Sequence, residues 1–170
     1  MKDKLLSKQG WVILLICIIS FFINNRVVVP DIMEARNMVT AREMVHDGNW
    51  LVPTMNGDLR LEKPPLPTWL TAVAEMISPD NLALQRAMAG FAAILLVAFF
   101  YLTAVQVMRN KRYAFISTIL LCTCYNIILM GRTASWDIYC HAFMMGAIYF
   151  LIRAFAAKAC SWKDLWGCRL

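Results

Sequence analysis

Residues 89–105 read AGFAAILLVAFFYLTAV, a run in which no residue is charged. The run belongs to an apolar segment of about residues 83–107, which ends at the basic sequence RNKRY, residues 109–113. A helix that crosses the hydrocarbon core of a bilayer needs about 20 predominantly apolar residues. The segment therefore predicts a transmembrane helix.

Three further apolar segments predict three more spans. The first begins with WVILLICIISFFI at residue 11 and extends to about residue 29, and the others cover about 113–131 and 138–156. Lys2, Lys4 and Lys8 precede the first segment, as in a signal peptide, but no small-x-small cleavage site follows it. We therefore expect an uncleaved helix, and a single membrane domain over residues 1–170 with four transmembrane helices.

Composition supports an integral membrane protein. Of the 170 residues, 60% are hydrophobic and 16% are charged, and the mean hydropathy is +0.56, whereas soluble domains carry about 25% charged residues. The net charge of +6 does not indicate a nucleic-acid partner, because the basic residues lie at the ends of apolar runs and form no basic face. The six cysteines are expected to be free thiols, since most lie in or beside apolar runs.

The distribution of charge predicts the orientation in the membrane. The N-terminus, the 109–112 loop and the C-terminal tail together hold ten basic and two acidic residues, whereas residues 30–81 hold four basic and eight acidic ones. Basic segments remain on the cytoplasmic side. The N-terminus is therefore expected in the cytoplasm, and residues 30–81 and the 131–137 turn on the outer face.

The outer connection at about 30–81 is too long to be a bare loop. Residues 31–48 have helical periodicity, with Pro30 before them and Gly48 as a stop signal. Asn56-Gly57 predicts a turn, and TWLTAVAEMI, residues 68–77, predicts a second short helix before Ser78-Pro79. We expect one or two helices that lie at the membrane surface.

The sequence Glu62-Lys63-Pro64-Pro65 stands out in this connection. Pro64 disfavours the α conformation at Lys63, so the side chains of Glu62 and Lys63 diverge and can reach different partners. A stiff charged turn at a membrane surface can bind a lipid phosphate or a metal. For the charges of the 31–48 helix, the simpler alternative is a solvated face.

Charged residues also flank the fourth predicted span, in GRTASWD, residues 131–137. Arg132 and Asp137 can be interfacial anchors, and Asp137 at a helix start is also favoured by the helix dipole. Polar groups at membrane depth are costly and often functional. His141, one turn after Asp137, is expected to be a hydrogen-bonded packing residue.

Residues 33–72 resemble the first outer loop of the bacterial aminoarabinose (lipid A) transferases. These belong with the protein O-mannosyltransferases among the polyprenyl-phosphate-dependent membrane glycosyltransferases. The family pattern runs D-E-x-R, A-R-E-M, G-x-W, N-G and E-K-P-P. This chain has Glu34-x-Arg36, residues 41–44, Gly48-x-Trp50, residues 56–57 and residues 62–65 in that order, and GRTASWD resembles the family's next outer motif.

Two departures from the family pattern are visible. Met33 stands where the family has the leading aspartate, so Asp31 and Glu34 are the candidate substitutes. Family members also run to several hundred residues with many more spans, so we expect this chain to be an N-terminal part or a truncated form. The alternative to an enzyme is a non-catalytic four-span membrane protein, a remnant or a regulatory or binding subunit.

The resemblance implies a fold, a reaction and a set of residues. The fold is the all-α, GT-C-like membrane architecture, in the bacterial inner membrane with its site on the periplasmic face. The reaction moves a sugar from a polyprenyl phosphate to a lipid A-like or protein acceptor. Arg36 and Lys63 would bind the donor phosphate, Glu62 would bind a divalent metal ion, and Glu34 or Asp137 would be the base for a hydroxyl acceptor.

Overall fold

A computed structural model describes residues 8–156, and the elements in that range are seven helices and one two-stranded hairpin. In chain order they are α1 (Lys8–Phe22), α2 (Ile32–Asp47), β1 (Thr54–Met55), β2 (Asp58–Leu59), α3 (Pro65–Ile77), α4 (Leu82–Met108), α5 (Lys111–Cys122), α6 (Tyr125–Arg132) and α7 (Asp137–Ala156).

Helix α4 is the centre of the bundle. It packs against α1, α3, α5, α6 and α7, and small residues such as Ala89, Ala93 and Gly90 let these neighbours come close. The buried core around it includes Cys17 and Phe21 of α1. The run quoted at the outset therefore provides the surface on which the other apolar helices assemble.

The predicted all-α membrane architecture is present. Within residues 8–156, α4 and α7 are each long and apolar enough to cross a membrane, and α5 and α6 together form a pair bent by 61° that would make a third span. Helix α1 is also apolar, but its described part has only 15 residues. Two of the four predicted spans are thus single long helices.

The first apolar helix ends earlier than predicted. The expected span of residues 11–29 stops as a helix at Phe22, and turns follow. Asn24 has a φ of 57°, a left-handed conformation that asparagine adopts more readily than other residues with a side chain. Arg132 then donates a hydrogen bond to the Ile23 carbonyl at this helix end.

The third predicted span, residues 113–131, is not one continuous helix. It breaks between Cys122 and Tyr125 without a proline or glycine at the break. The Thr123 hydroxyl donates to the carbonyls of Ile119 and Leu120, each at 3.1 Å. Such back-bonding bends helices. The absence of a side chain at Gly131 lets α6 approach α1 closely, because a Cβ at residue 131 would lie 2.7 Å from the Phe21 ring.

Both helices expected in the outer connection are present. The Asp31 carboxylate caps α2 by accepting from the Glu34 amide at 2.7 Å, and Gly48 ends the helix with a φ of 72°. Helix α3 begins at Pro65, earlier than predicted, because proline is well tolerated in the first turn of a helix.

The predicted turn at Asn56-Gly57 connects a hairpin that was not predicted. Asn56 and Gly57 both have positive φ, 56° and 82°, as a two-residue type I′ turn requires. The Glu43 carboxylate of α2 accepts from the Thr54 hydroxyl at 2.7 Å and from the Asn56 amide at 2.5 Å. A single carboxylate thus ties the hairpin to α2.

Candidate functional site

The outer connection and the 133–136 turn meet at one end of the bundle. The Asn37 side-chain amide donates to the Ala134 carbonyl at 2.8 Å, and the Ala134 amide donates to Glu34 Oε1 at 2.9 Å. Helix α2 therefore holds both backbone groups of Ala134. This places Trp136 and Asp137, which follow directly in the chain, beside the charged residues of the outer connection.

Glu34 lies in a buried ion pair with Arg86 of α4. Arg86 Nε and Nη2 donate to the two Glu34 oxygens, each at 2.7 Å, and both side chains are 0% exposed. Arg86 Nη1 also donates to the backbone carbonyls of Asn25 and Val28. These bonds join α2, α4 and the α1–α2 connection.

The surroundings of Glu34 give it a structural role. A general base must come within hydrogen-bond reach of the proton that it takes, and the Glu34 carboxylate is enclosed by Arg86 and the Ala134 amide. The alternative that the α2 charges form a solvated face is also wrong for this residue. The inward face of α2 is in fact largely polar, with Glu34, Asn37 and Thr40 buried.

Two cationic side chains lie over the ring of Trp136. The Arg60 guanidinium carbon is 5.1 Å and Lys63 Nζ is 5.5 Å from the ring centroid, within the range of cation–π attraction. Arg60 Nη1 also donates to the Arg36 carbonyl at 2.6 Å and to the Thr40 hydroxyl at 2.8 Å. Trp136 thus connects the E-K-P-P segment to the start of α7.

Two adjoining cavities share Arg60 as a wall. The larger has a volume of about 190 Å³ and is also lined by Arg36 and Glu62. The smaller, with a volume of about 10 Å³, is also lined by Lys63 and Trp136. The structure therefore brings three of the five predicted site residues together around Arg60.

Asp137 is exposed at the first position of α7. The ring nitrogen Nδ1 of His141 donates to the Asp137 backbone carbonyl at 2.6 Å, so His141 makes the local hydrogen bond expected of it. The Asp137 carboxylate follows Trp136 in sequence. Of the two predicted bases, it is the one open to an incoming acceptor.

Burial of the guanidinium lowers the pKa of Arg60 from its ordinary value; the negative charge of Glu62 raises this pKa and the positive charge of Arg36 lowers it. An arginine remains charged through such a shift. The centre of the site is therefore a largely buried positive charge.

A divalent ion at Glu62 is not matched by a set of ligands. Among the residues that the structure describes, no three His, Cys, Asp or Glu side chains are grouped closely enough to hold a metal ion. Glu62 is exposed at the rim of the larger cavity. Asp58 and Asn56 line the same cavity and could add oxygen ligands, but the described side chains do not by themselves complete the coordination that such ions require. A metal ion at Glu62 stays a prediction.

Sequence reasoning missed four residues that organise this end of the protein: Asn37, Arg60, Arg86 and Trp136. A signal existed for Arg86, which is an ionisable residue inside the predicted 83–107 span and therefore expected to have a buried partner. Arg60 lies between Asp58 and Glu62 in an extended stretch. Nothing in that pattern distinguishes a buried arginine from a solvated one.

Comparison with known proteins agrees with the resemblance seen in the sequence. The model of the dolichyl-phosphate-mannose-protein mannosyltransferase family matches residues 11–169. An undecaprenyl phosphate-alpha-4-amino-4-deoxy-L-arabinose arabinosyl transferase of Pseudomonas savastanoi is 34% identical over 92 residues, which are 54% of this chain and 17% of the relative. The enzyme of that name from Yersinia enterocolitica is 28% identical over 140 residues, which are 80% of this chain and 25% of the relative.

A solved structure has the same fold. The crystal structure of ArnT from Cupriavidus metallidurans bound to undecaprenyl phosphate superposes with a TM-score of 0.73 and 20% sequence identity, over 90% of this chain and 29% of that chain. This likeness confirms the predicted GT-C-like membrane fold. The chain spans less than a third of the length of each of these relatives.

Proposed function

Because this chain belongs to the dolichyl-phosphate-mannose-protein mannosyltransferase family, we propose that it forms the donor-binding part of a membrane glycosyltransferase. The donor is a sugar carried on a polyprenyl phosphate, and the acceptor is a lipid A-like molecule or a protein. The names of the relatives, and the undecaprenyl phosphate bound in the crystallised one, support this donor class. The family match does not favour a non-catalytic membrane subunit.

The observation that carries the proposal is the convergence of cationic side chains at one end of the bundle. Arg36 and Lys63, which come from α2 and the E-K-P-P segment, line the two cavities that adjoin at Arg60. Arginine supplies a planar pair of donors and lysine a compact charge, and both are common phosphate ligands. A phosphate held there would have its isoprenoid chain free to enter the lipid beside the apolar helices.

The reaction requires stabilisation of a leaving phosphate. The bond between the anomeric carbon of the sugar and the phosphate oxygen breaks, and its electron pair stays on that oxygen. A new bond then forms from the anomeric carbon to the acceptor oxygen. Arg36 and Lys63 stabilise the charge that develops on the phosphate. A hydroxyl acceptor gives its proton to Asp137, whereas an ionised phosphate acceptor has no proton to lose.

The site is proposed to face the periplasm. The charge distribution supports this orientation, and the cytoplasmic end would carry Lys8, Arg109 and the start of α5. The 30–81 connection and the 133–137 turn lie at the same end of the bundle, as one outer face requires. Lys63→Cys, in a variant whose six native cysteines are replaced by serine, should react with a membrane-impermeant maleimide added to intact cells; reaction only after cell lysis would reverse the orientation.

Binding of undecaprenyl phosphate to the purified chain in lipid nanodiscs tests the proposal. We expect Lys63→Ala to weaken binding about tenfold or more, the value of a lost charge-assisted hydrogen bond. Lys111→Ala, which removes the same charge at the far end of the bundle, should leave the affinity unchanged. Equal binding of undecaprenol, which lacks the phosphate, would reject the proposed function. An assay of sugar transfer then tests the chemistry. It uses this chain, or a longer relative in which the lysine that matches Lys63 is replaced.

A further inference from the structure

We propose that Arg60 and Trp136 form an inner oxyanion subsite that takes one oxygen of a lipid phosphate. The inference rests on the proposed function and adds two residues to it. In this arrangement Lys63 contacts the phosphate from outside, while Arg60 and Trp136 hold the oxygen that enters the small cavity.

The first argument is that Arg60 is buried without a carboxylate in ion-pair contact, although the charge of Glu62 acts on it from a greater distance. The residue is 7% exposed, and the groups that accept its hydrogen bonds, the Arg36 carbonyl and the Thr40 hydroxyl, are both neutral. Its Nη2 is buried with no hydrogen-bond partner. Among residues 8–156, no carboxylate lies within ion-pair distance of this guanidinium.

Arg86 provides the comparison within the same chain. That guanidinium is also buried, but it forms two hydrogen bonds to Glu34 and two more to backbone carbonyls. A buried charge is costly unless it is paired and hydrogen-bonded. The fold meets this requirement at Arg86 but not at Arg60. This difference is expected when the anion that pairs with Arg60 is a bound ligand.

The second argument comes from Trp136. Its indole Nε1 is also buried without a hydrogen-bond partner, whereas the indole of Trp69 donates to the Trp50 carbonyl at 2.8 Å. Buried indole N–H groups usually find an acceptor. Trp136 and Arg60 line the same small cavity, and each has one buried donor without a partner. The proposed subsite places both donors at this cavity. An oxygen with several lone pairs and negative charge would satisfy both.

The dimensions of the cavity favour one oxygen atom. Its volume of about 10 Å³ is close to the minimum that a single water requires. A whole phosphate does not fit, but one phosphate oxygen does. Lys63 also lines this cavity and is exposed to solvent, so the remaining oxygens would lie next to its ammonium group.

The test measures binding to the full 170-residue chain in nanodiscs, with undecaprenyl phosphate, undecaprenol and inorganic phosphate as separate probes. Arg60→Gln removes the charge, and Arg60→Lys keeps it but removes the planar fork. Trp136→Phe keeps an aromatic ring for the cations to contact and removes the N–H donor together with part of the ring. Arg112→Gln is the matched control, since it removes an exposed arginine charge at the other end of the bundle.

We expect Arg60→Gln to lower the affinity for undecaprenyl phosphate at least about tenfold and Trp136→Phe about three- to tenfold, as for hydrogen bonds to a charged group. Arg60→Lys should bind nearly as weakly as Arg60→Gln, and Arg112→Gln as tightly as the original chain. If Arg60→Gln does not fold, Trp136→Phe and Arg60→Lys decide the outcome.

The results separate this inference from the proposed function. If the Arg60 and Trp136 variants bind undecaprenyl phosphate as tightly as the original chain while Lys63→Ala does not, the inner subsite is refuted and the donor class stands. If the original chain binds undecaprenol equally well, the proposed function fails. If inorganic phosphate then binds in a way that depends on Arg60, the anion subsite is supported. The anion that it takes would not be the phosphate of a lipid.

Discussion

Breaking the Glu34–Arg86 pair should destabilise the whole outer connection. Glu34→Ala removes the acceptor of two hydrogen bonds from Arg86 and one from the Ala134 amide, and it leaves the Arg86 charge buried. Removal of one partner from a buried pair costs about 3–5 kcal/mol. At about 2–4 °C per kcal/mol for a chain of this size, the melting temperature should fall by about 6–20 °C.

The assay is thermal unfolding of the detergent-solubilised protein, followed by circular dichroism. Glu62→Ala is the control, because it removes an exposed carboxylate and should change stability by no more than about 0.5 kcal/mol. The double variant Glu34→Ala/Arg86→Met should be more stable than the sum of the single effects implies, with a coupling of at least about 1 kcal/mol. A Glu34→Ala melting temperature equal to that of the control would refute the reasoning.

Three further predictions test other contacts. Glu43→Ala should cost about 1–3 kcal/mol, because it leaves the β1–β2 hairpin without its acceptor; the hairpin should be cleaved faster in limited proteolysis, and an unchanged cleavage rate would contradict the contact. Gly131→Leu should lower the melting temperature, because its side chain would overlap the Phe21 ring; Gly131→Leu/Phe21→Ala should recover part of the loss, and no recovery would disprove this packing. The sulfurs of Cys17 and Cys122 lie 3.9 Å apart, so a mild membrane-permeant oxidant should form a disulfide between them. Peptide mapping by mass spectrometry would detect this disulfide, and its absence would contradict the contact between α1 and α5.

Local sequence signals were sufficient for most helices and for one turn. Asp31 and Gly48 bound α2, and the Asn56-Gly57 pair forms a tight turn, because capping and positive φ depend on residues that are neighbours in the chain. Helices α4 and α7 follow from the length of their apolar runs. The 30–81 connection and the 133–136 turn, which were predicted to share one face, do lie at the same end of the bundle.

The bend between α5 and α6 was not predictable from composition. It occurs in an apolar stretch without proline or glycine, where the Thr123 hydroxyl bonds back to the preceding turn. The apolar run shows that residues 113–131 are hydrophobic, but it does not predict whether they form one continuous helix. Hydroxyl groups in an apolar run can either bond within a straight helix or bend it, and both α5 and α6 pack against α1 and α4.

The sequence alone determined that this is a helical membrane protein, that its charged outer connection follows the first helix, and that its motifs follow a glycosyltransferase order. The tertiary structure decided which charges are structural and which can meet a ligand. Glu34 and Arg60 are both charged residues of the same connection, yet Glu34 is neutralised by Arg86, 52 positions away, while Arg60 has only neutral acceptors. Whether a charge is paired depends on the position of its partner in space, and no local pattern contains that information.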